Sequence, residues 1–106
     1  MDLLTHIVGF SHGFSMRHPL PLNALRIFEV AARTGSYTEA GTELGLTHGA
    51  VSRQIAALEG WLGQKLFARD GRRMVATPTA KIFAAEVSLS FDRLAVAARM
   101  RAASCA

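Results

Sequence analysis

Only Gly45-Leu46-Thr47 separates two amphipathic segments, so a fold of this chain must cross two short helices at a tight corner. The first segment opens with Ser36-Tyr37-Thr38-Glu39, which has the form of a capping box. Tyr37, Ala40 and Leu44 fall on its inward side, and Gly45 suits the left-handed residue that ends a helix. Gly41 is small, as a close helix crossing requires. Thr47 caps the second segment, about His48 to Trp61, and Gly63 stops it. At ~100° per residue, Val51, Ile55, Leu58 and Leu62 collect in a narrow arc. The opposite side carries Gly49, Arg53, Ala56 and Gly60, flanked by His48 and Ser52. Such a small, polar and basic surface can slide deep into a groove.

A helix from about Leu22 to Arg33 precedes this pair. Asn23 is its expected N-cap, with Leu22 and Ile27 as a hydrophobic staple. Leu25, Phe28 and Ala32 recur at helical spacing, and Thr34-Gly35 stops the helix. After it come two short strands, Leu66 to Arg69 and Met74 to Ala76, with Asp70-Gly71 as the hairpin signal. Arg72 and Arg73 stand at or just beyond the tip. Thr77-Pro78 is an N-cap followed by a proline at the first helical position, opening one long helix to about Met100. Its apolar residues Ile82, Phe83, Val87, Leu89, Phe91, Leu94 and Val96 are too many for one stripe on a small domain. Residues 1–21 form a loose extension ending in Pro19-Leu20-Pro21, and no function is read into it.

The fold expected is therefore all-α dominated: a winged helix-turn-helix over residues 22–77, made of three helices plus a two-stranded β-hairpin wing, followed by a long linker and dimerisation helix over 78–102. Half of the 106 residues are hydrophobic, enough for one packed core. Cys105 is the lone cysteine, so no intrachain disulfide forms, and no base stands near it to make a nucleophile. His6, His12, His18 and His48 show no metal-ligand spacing, so neither a metal nor another cofactor is implied. Nothing at the start reads as a signal peptide and no apolar run has membrane-spanning length, so a soluble cytoplasmic protein without a membrane partner is expected.

The charge points to nucleic acid. The net charge is +4, and an excess of that same size lies between His48 and Lys81, where Arg53, Lys65, Arg69, Arg72, Arg73 and Lys81 face only Glu59 and Asp70. The major groove of duplex DNA, ~12 Å wide, admits one helix whose N-terminal side chains reach base edges. Thr47, His48, Ser52 and Arg53 occupy that position, and Arg53 can contact guanine in bidentate fashion. Arg72 and Arg73 are placed to reach phosphates or a minor groove. The full candidate DNA-contacting set is Thr38, Thr47, His48, Gly49, Ser52, Arg53, Gln54, Arg72 and Arg73.

The run from Leu22 to Arg33, then Ser36 to Ala40, resembles the start of LysR-type transcription regulators. Leu46-Thr47-His48-Gly49-Ala50-Val51-Ser52-Arg53-Gln54-Ile55 continues the likeness, as do Leu58-Glu59, Leu62-Gly63, Leu66-Phe67 and Arg69. The Asn23-Ala24-Leu25 opening, His48 and Ser90-Phe91-Asp92-Arg93 are most similar to the branch of glycine-cleavage activators and β-lactamase regulators. The resemblance implies sequence-specific binding to a pseudo-palindromic promoter site by a homodimer or higher homo-oligomer. Phe83, Val87, Phe91 and Leu94 are the expected dimerisation residues. It also implies a small-molecule effector bound by a further domain that these residues do not include. Ala76, Thr79 and Ala80 depart from the commoner leucine, alanine and glycine where the wing meets the long helix.

Two other classes compete. A winged helix can serve as a dimeric protein-interaction adaptor without specific DNA binding, but Arg53, Arg72 and Arg73 argue against that reading. An enzyme needs paired carboxylates, a Ser-His arrangement, an activated thiolate or a phosphate-cradling loop, and none is found.

Overall fold

The computed structural model describes residues 20–105. The extension expected over residues 1–21 falls almost wholly outside them. Four helices and one hairpin follow in order: α1 (Leu22–Thr34), α2 (Tyr37–Leu44), α3 (His48–Leu62), β1 (Phe67–Asp70), β2 (Arg73–Ala76) and α4 (Pro78–Cys105).

α1 is the centre of the fold and touches α2, α3 and α4. Its Ala24, Leu25, Ile27, Phe28, Val30 and Ala31 are all buried, because apolar residues recur on every inward position of the helix. Phe28 is fully enclosed, with ring centroids 5.8 Å from Phe67 edge-on and 5.4 Å from Phe83 in a stacked arrangement. Tyr37 meets the same Phe67 edge-on at 5.4 Å. These rings join α1, α2, the wing and α4 into one core, and each such aromatic pair adds about 0.5–1.5 kcal/mol beyond its buried area.

α1 begins at Leu22 as expected, but its cap differs. Pro21, not Asn23, is the N-cap: its carbonyl accepts from Leu25 N–H at 3.0 Å, and no side chain caps the helix. Asn23 and Leu22 are both exposed, so the staple does not form. Proline fits there because the cap position contributes only a carbonyl. Only half of the expected capping box at α2 is present. Ser36 Oγ accepts from Glu39 N–H at 3.1 Å, but the Ser36 N–H is directed to Thr34 Oγ1 at 3.4 Å, leaving Glu39 exposed.

The corner between α2 and α3 is as tight as its sequence demands. Leu46 N–H donates to Gly41 O at 2.8 Å, and a Cβ on Gly41 would stand 2.4 Å from Leu46 O. Gly41 is thus required by the backbone of the turn rather than by a crossing helix. At the far end of α2, Glu43 pairs with Arg33 of α1, which also lies 3.8 Å from Glu29. The Glu43 carboxylate raises the already high pKa of that guanidinium.

The hairpin register pairs Phe67 with Ala76 and Asp70 with Arg73. The strands therefore extend one residue nearer the tip than expected, and the two turn residues are Gly71 and Arg72. Gly71 has φ +63°, while no other residue type has a positive φ among those described. Positive φ at the first turn position alone is the II′ pattern, which demands glycine there. Thr77 then links wing to helix: its N–H donates to Leu66 O at 2.9 Å, and its Oγ1 accepts from Ala80 N–H at 3.2 Å. Ala76 and Ala80 are both buried beside it, so the unusual residues at this junction pack normally.

α4 is 28 residues long and outruns the expected end near residue 100. Its first half lies on the core through Ala80, Phe83, Ala84, Val87 and Phe91. Its outer side is open, with Ile82, Leu89 and Val96 at seven-residue spacing and more than half exposed, as is Met100.

Candidate nucleic-acid interface

α3 reaches the surface in a fixed pose because Val51, Ile55 and Leu58 anchor its inner side, all within 1 % of full burial. Thr47 starts it, accepting from Ala50 N–H at 3.1 Å. Thr47, His48, Gly49 and Arg53 are exposed, while Ser52 and Gln54 are half-buried on the flanks. Arg53 lies back along its own helix: its Nη1 is 3.5 Å from where a Cβ on Gly49 would stand, with Thr47 Oγ1 4.0 Å from that point. The absent side chain at Gly49 thus leaves the first turn low enough for the guanidinium to cover it. The positive end of the helix dipole and its free backbone N–H groups favour anions at the same place.

α2 supplies a second layer. Thr38 Oγ1 is 3.2 Å from His48 Nδ1, and the rings of Tyr37 and His48 are 5.8 Å apart. The first turns of α2 and α3 are therefore joined side by side. Burial, reinforced by the nearby charge of Glu59 and opposed by Arg69, pushes the Tyr37 hydroxyl up to about 12. Glu59 itself holds the far end of α3: its Oε2 accepts from Leu66 N–H at 2.8 Å, and Lys65 Nζ lies 3.8 Å from its other oxygen.

The two wing arginines diverge. Arg72 is exposed in the turn. Arg73 reaches from β2 across to the end of α1, where its Nη2 is 2.9 Å from the place a Cβ on Gly35 would take. The carboxyl end of a helix carries partial negative charge, so a guanidinium is favoured there. Arg73 therefore lies against the end of α1, whereas Arg72 stands free at the tip.

Phe83, Val87, Phe91 and Leu94 do come together, but not as a free stripe. With Leu20, Leu22 and Leu25 they line an open groove of about 250 Å³ between α4 and the start of α1. Val87 is buried within the monomer and Phe83 is committed to Phe28, whereas Leu94 and Leu22 remain open. The outer residues Ile82, Leu89, Val96 and Met100 form a separate surface that the expected dimerisation set omitted. The seven-residue spacing of Ile82, Leu89 and Val96, with Met100 one turn further on, is the signal for it.

The class of protein this arrangement defines is a winged helix-turn-helix. Residues 22–81 match the family described as bacterial regulatory helix-turn-helix protein, lysR family, and the chain belongs to that family. It is 45% identical over 78 residues to the HTH-type transcriptional activator AmpR of Rhodobacter capsulatus, covering 74% of this chain and 27% of that protein. It is 44% identical over 79 residues to the glycine cleavage system transcriptional activator of Escherichia coli (strain K12), with 74% and 26% covered. The chain thus spans about a quarter of the length of the curated relatives it matches. Among solved structures it is similar to the BenM DNA-binding domain in complex with benA site 1 DNA, at TM-score 0.73 and 28% identity, covering 77% of this chain and 95% of that one. The CbnR DNA-binding domain in complex with DNA superposes at TM-score 0.71 and 26% identity, with 80% and 99% covered.

Proposed function

We propose that these residues are the DNA-binding part of a bacterial transcription regulator that acts in the cytoplasm and has no catalytic role. α3 enters the major groove of duplex DNA, with His48, Arg53 and Ser52 toward base edges and Thr47 toward the backbone. Gly49 lets the helix approach closely, Gln54 and Thr38 flank the contact, and Arg72 reaches a phosphate or the minor groove. The observation that carries this reading is the outward side of α3, where a small residue, a cation and an exposed first turn coincide on a rigidly anchored helix. Two structural neighbours are themselves DNA complexes.

The functional unit in this reading is a homodimer. Leu22 and Leu94 leave the groove between α1 and α4 open to water, and a twofold mate covers it while setting two α3 helices at fixed separation. A small-molecule effector is expected to act through another domain. Selection of duplexes from a random pool by the wild-type chain tests the proposal. Enrichment of one motif repeated as two half-sites supports it, and recovery of an unselected pool contradicts it.

A further inference from the structure

The contact between Thr38 and His48 fixes more than the position of two helices. His48 is the first residue of α3 and is exposed, so its imidazole stands where the proposed interface begins. Nδ1 is engaged by Thr38 Oγ1 at 3.2 Å, and the Tyr37 ring lies beside the imidazole, inclined at 48° and 5.8 Å away. Nε2 is the ring nitrogen that Thr38 leaves available.

A neutral imidazole has one N–H donor and one acceptor, and the hydrogen bond made by one nitrogen decides which role the other takes. A threonine hydroxyl can adopt either role by rotating. The Nε2–H form is the intrinsically favoured tautomer of neutral histidine. It also turns a donor, not a lone pair, toward a surface made for an anionic partner. We infer that Thr38 donates its proton to His48 Nδ1, fixing the Nε2–H tautomer, and that the outward Nε2–H selects a base bearing a hydrogen-bond acceptor at one position of each half-site.

This rests on the DNA-binding reading and deepens it. The acceptors within reach of such a donor are guanine N7 and O6, adenine N7 and thymine O4, while cytosine presents an amino donor instead. Thr38 is then a positioning residue that acts through His48, not a contact in its own right. Its place in the first turn of α2, ten residues before His48, hides that partnership from the sequence.

Two measurements on the full 106-residue chain test it. Two-bond nitrogen–proton couplings of the His48 ring at pH 8 report the tautomer without DNA. Wild-type and Thr38→Ser chains should show Nε2–H almost alone, and Thr38→Val should fall back to the mixture of free neutral histidine, with a measurable share of Nδ1–H. Random-pool selection is then repeated with each variant. Thr38→Val should weaken discrimination at one position per half-site by about 3- to 10-fold, the scale of one neutral hydrogen bond, with Thr38→Ser restoring it. An Nδ1–H tautomer in the wild type overturns the inference. So does unchanged base preference in Thr38→Val. If the tautomers are as stated but no variant binds duplex DNA, the assignment to Thr38 stands and the functional reading falls.

Discussion

The Cβ that Gly41 lacks would lie 2.4 Å from the carbonyl oxygen of Leu46, closer than real atoms approach. That oxygen belongs to the backbone of the turn between α2 and α3, so it cannot swing aside as a side chain would. Gly41→Ala should therefore destabilise the domain by ~1–3 kcal/mol despite the better helix propensity of alanine. Thermal unfolding should show a clear drop in Tm. An unchanged or higher Tm would mean that the turn is looser than its geometry indicates.

Glu59 gives a second stability test. Its carboxylate receives the Leu66 N–H at 2.8 Å in a half-buried setting, joining the end of α3 to the start of the wing. Glu59→Ala leaves that N–H without its acceptor and should cost about 1–3 kcal/mol. Glu59→Gln keeps an acceptor oxygen and should lose clearly less. Equal losses in urea unfolding would show that the carboxylate charge, not the hydrogen bond, is what matters.

Tyr37 predicts an alkaline limit. Its folded pKa is pushed up to about 12 from an ordinary value of 10.0, so the folded chain keeps a proton that the unfolded chain releases. The folded state binds more protons across that window, and stability must fall as pH rises through it. The stabilisation is fully present below pH 10 and lost on passing about 12. Chemical unfolding at pH 9, 10.5 and 12 should show the decline in the wild type and a shallower one in Tyr37→Phe. Identical slopes would remove Tyr37 as the cause.

Much of this was legible in the sequence, for identifiable reasons. α2, the turn and α3 are determined locally by Ser36, Gly45, Thr47 and Gly63, and by the arc of Val51, Ile55 and Leu58. α1 starts at Leu22 as expected, but its cap differs: Asn23 is a good cap by type, and only the Leu25 N–H bond to Pro21 O shows that Pro21 takes that place. The hairpin was found, but its register depends on which residue pairs with Phe67, and Ala76 was not distinguishable from its neighbours by type. The approach of Arg73 to the end of α1 and the contact of Thr38 with His48 bring separate elements together. No local pattern encodes them.

The groove between α1 and α4 makes a prediction about assembly. Leu94 lines it and is exposed, so Leu94→Glu should give monomers in sedimentation with little change in Tm. Phe91→Glu should also weaken assembly, but with lowered stability, because Phe91 packs on the monomer's own core. A wild-type chain that is monomeric at tens of micromolar would contradict the dimer.

The central claim is that α3 and the wing bind duplex DNA, and its most direct test is the dependence of affinity on salt. Cations that neutralise phosphates release counterions, so log K should fall linearly with log salt concentration. Arg72→Ala should weaken binding to all sequences alike and lower the slope by about 1, whereas Arg53→Ala should leave the slope nearly unchanged and cost roughly 1–3 kcal/mol on the selected sequence only. Affinity that is absent, or indifferent to salt in all three chains, would contradict the account.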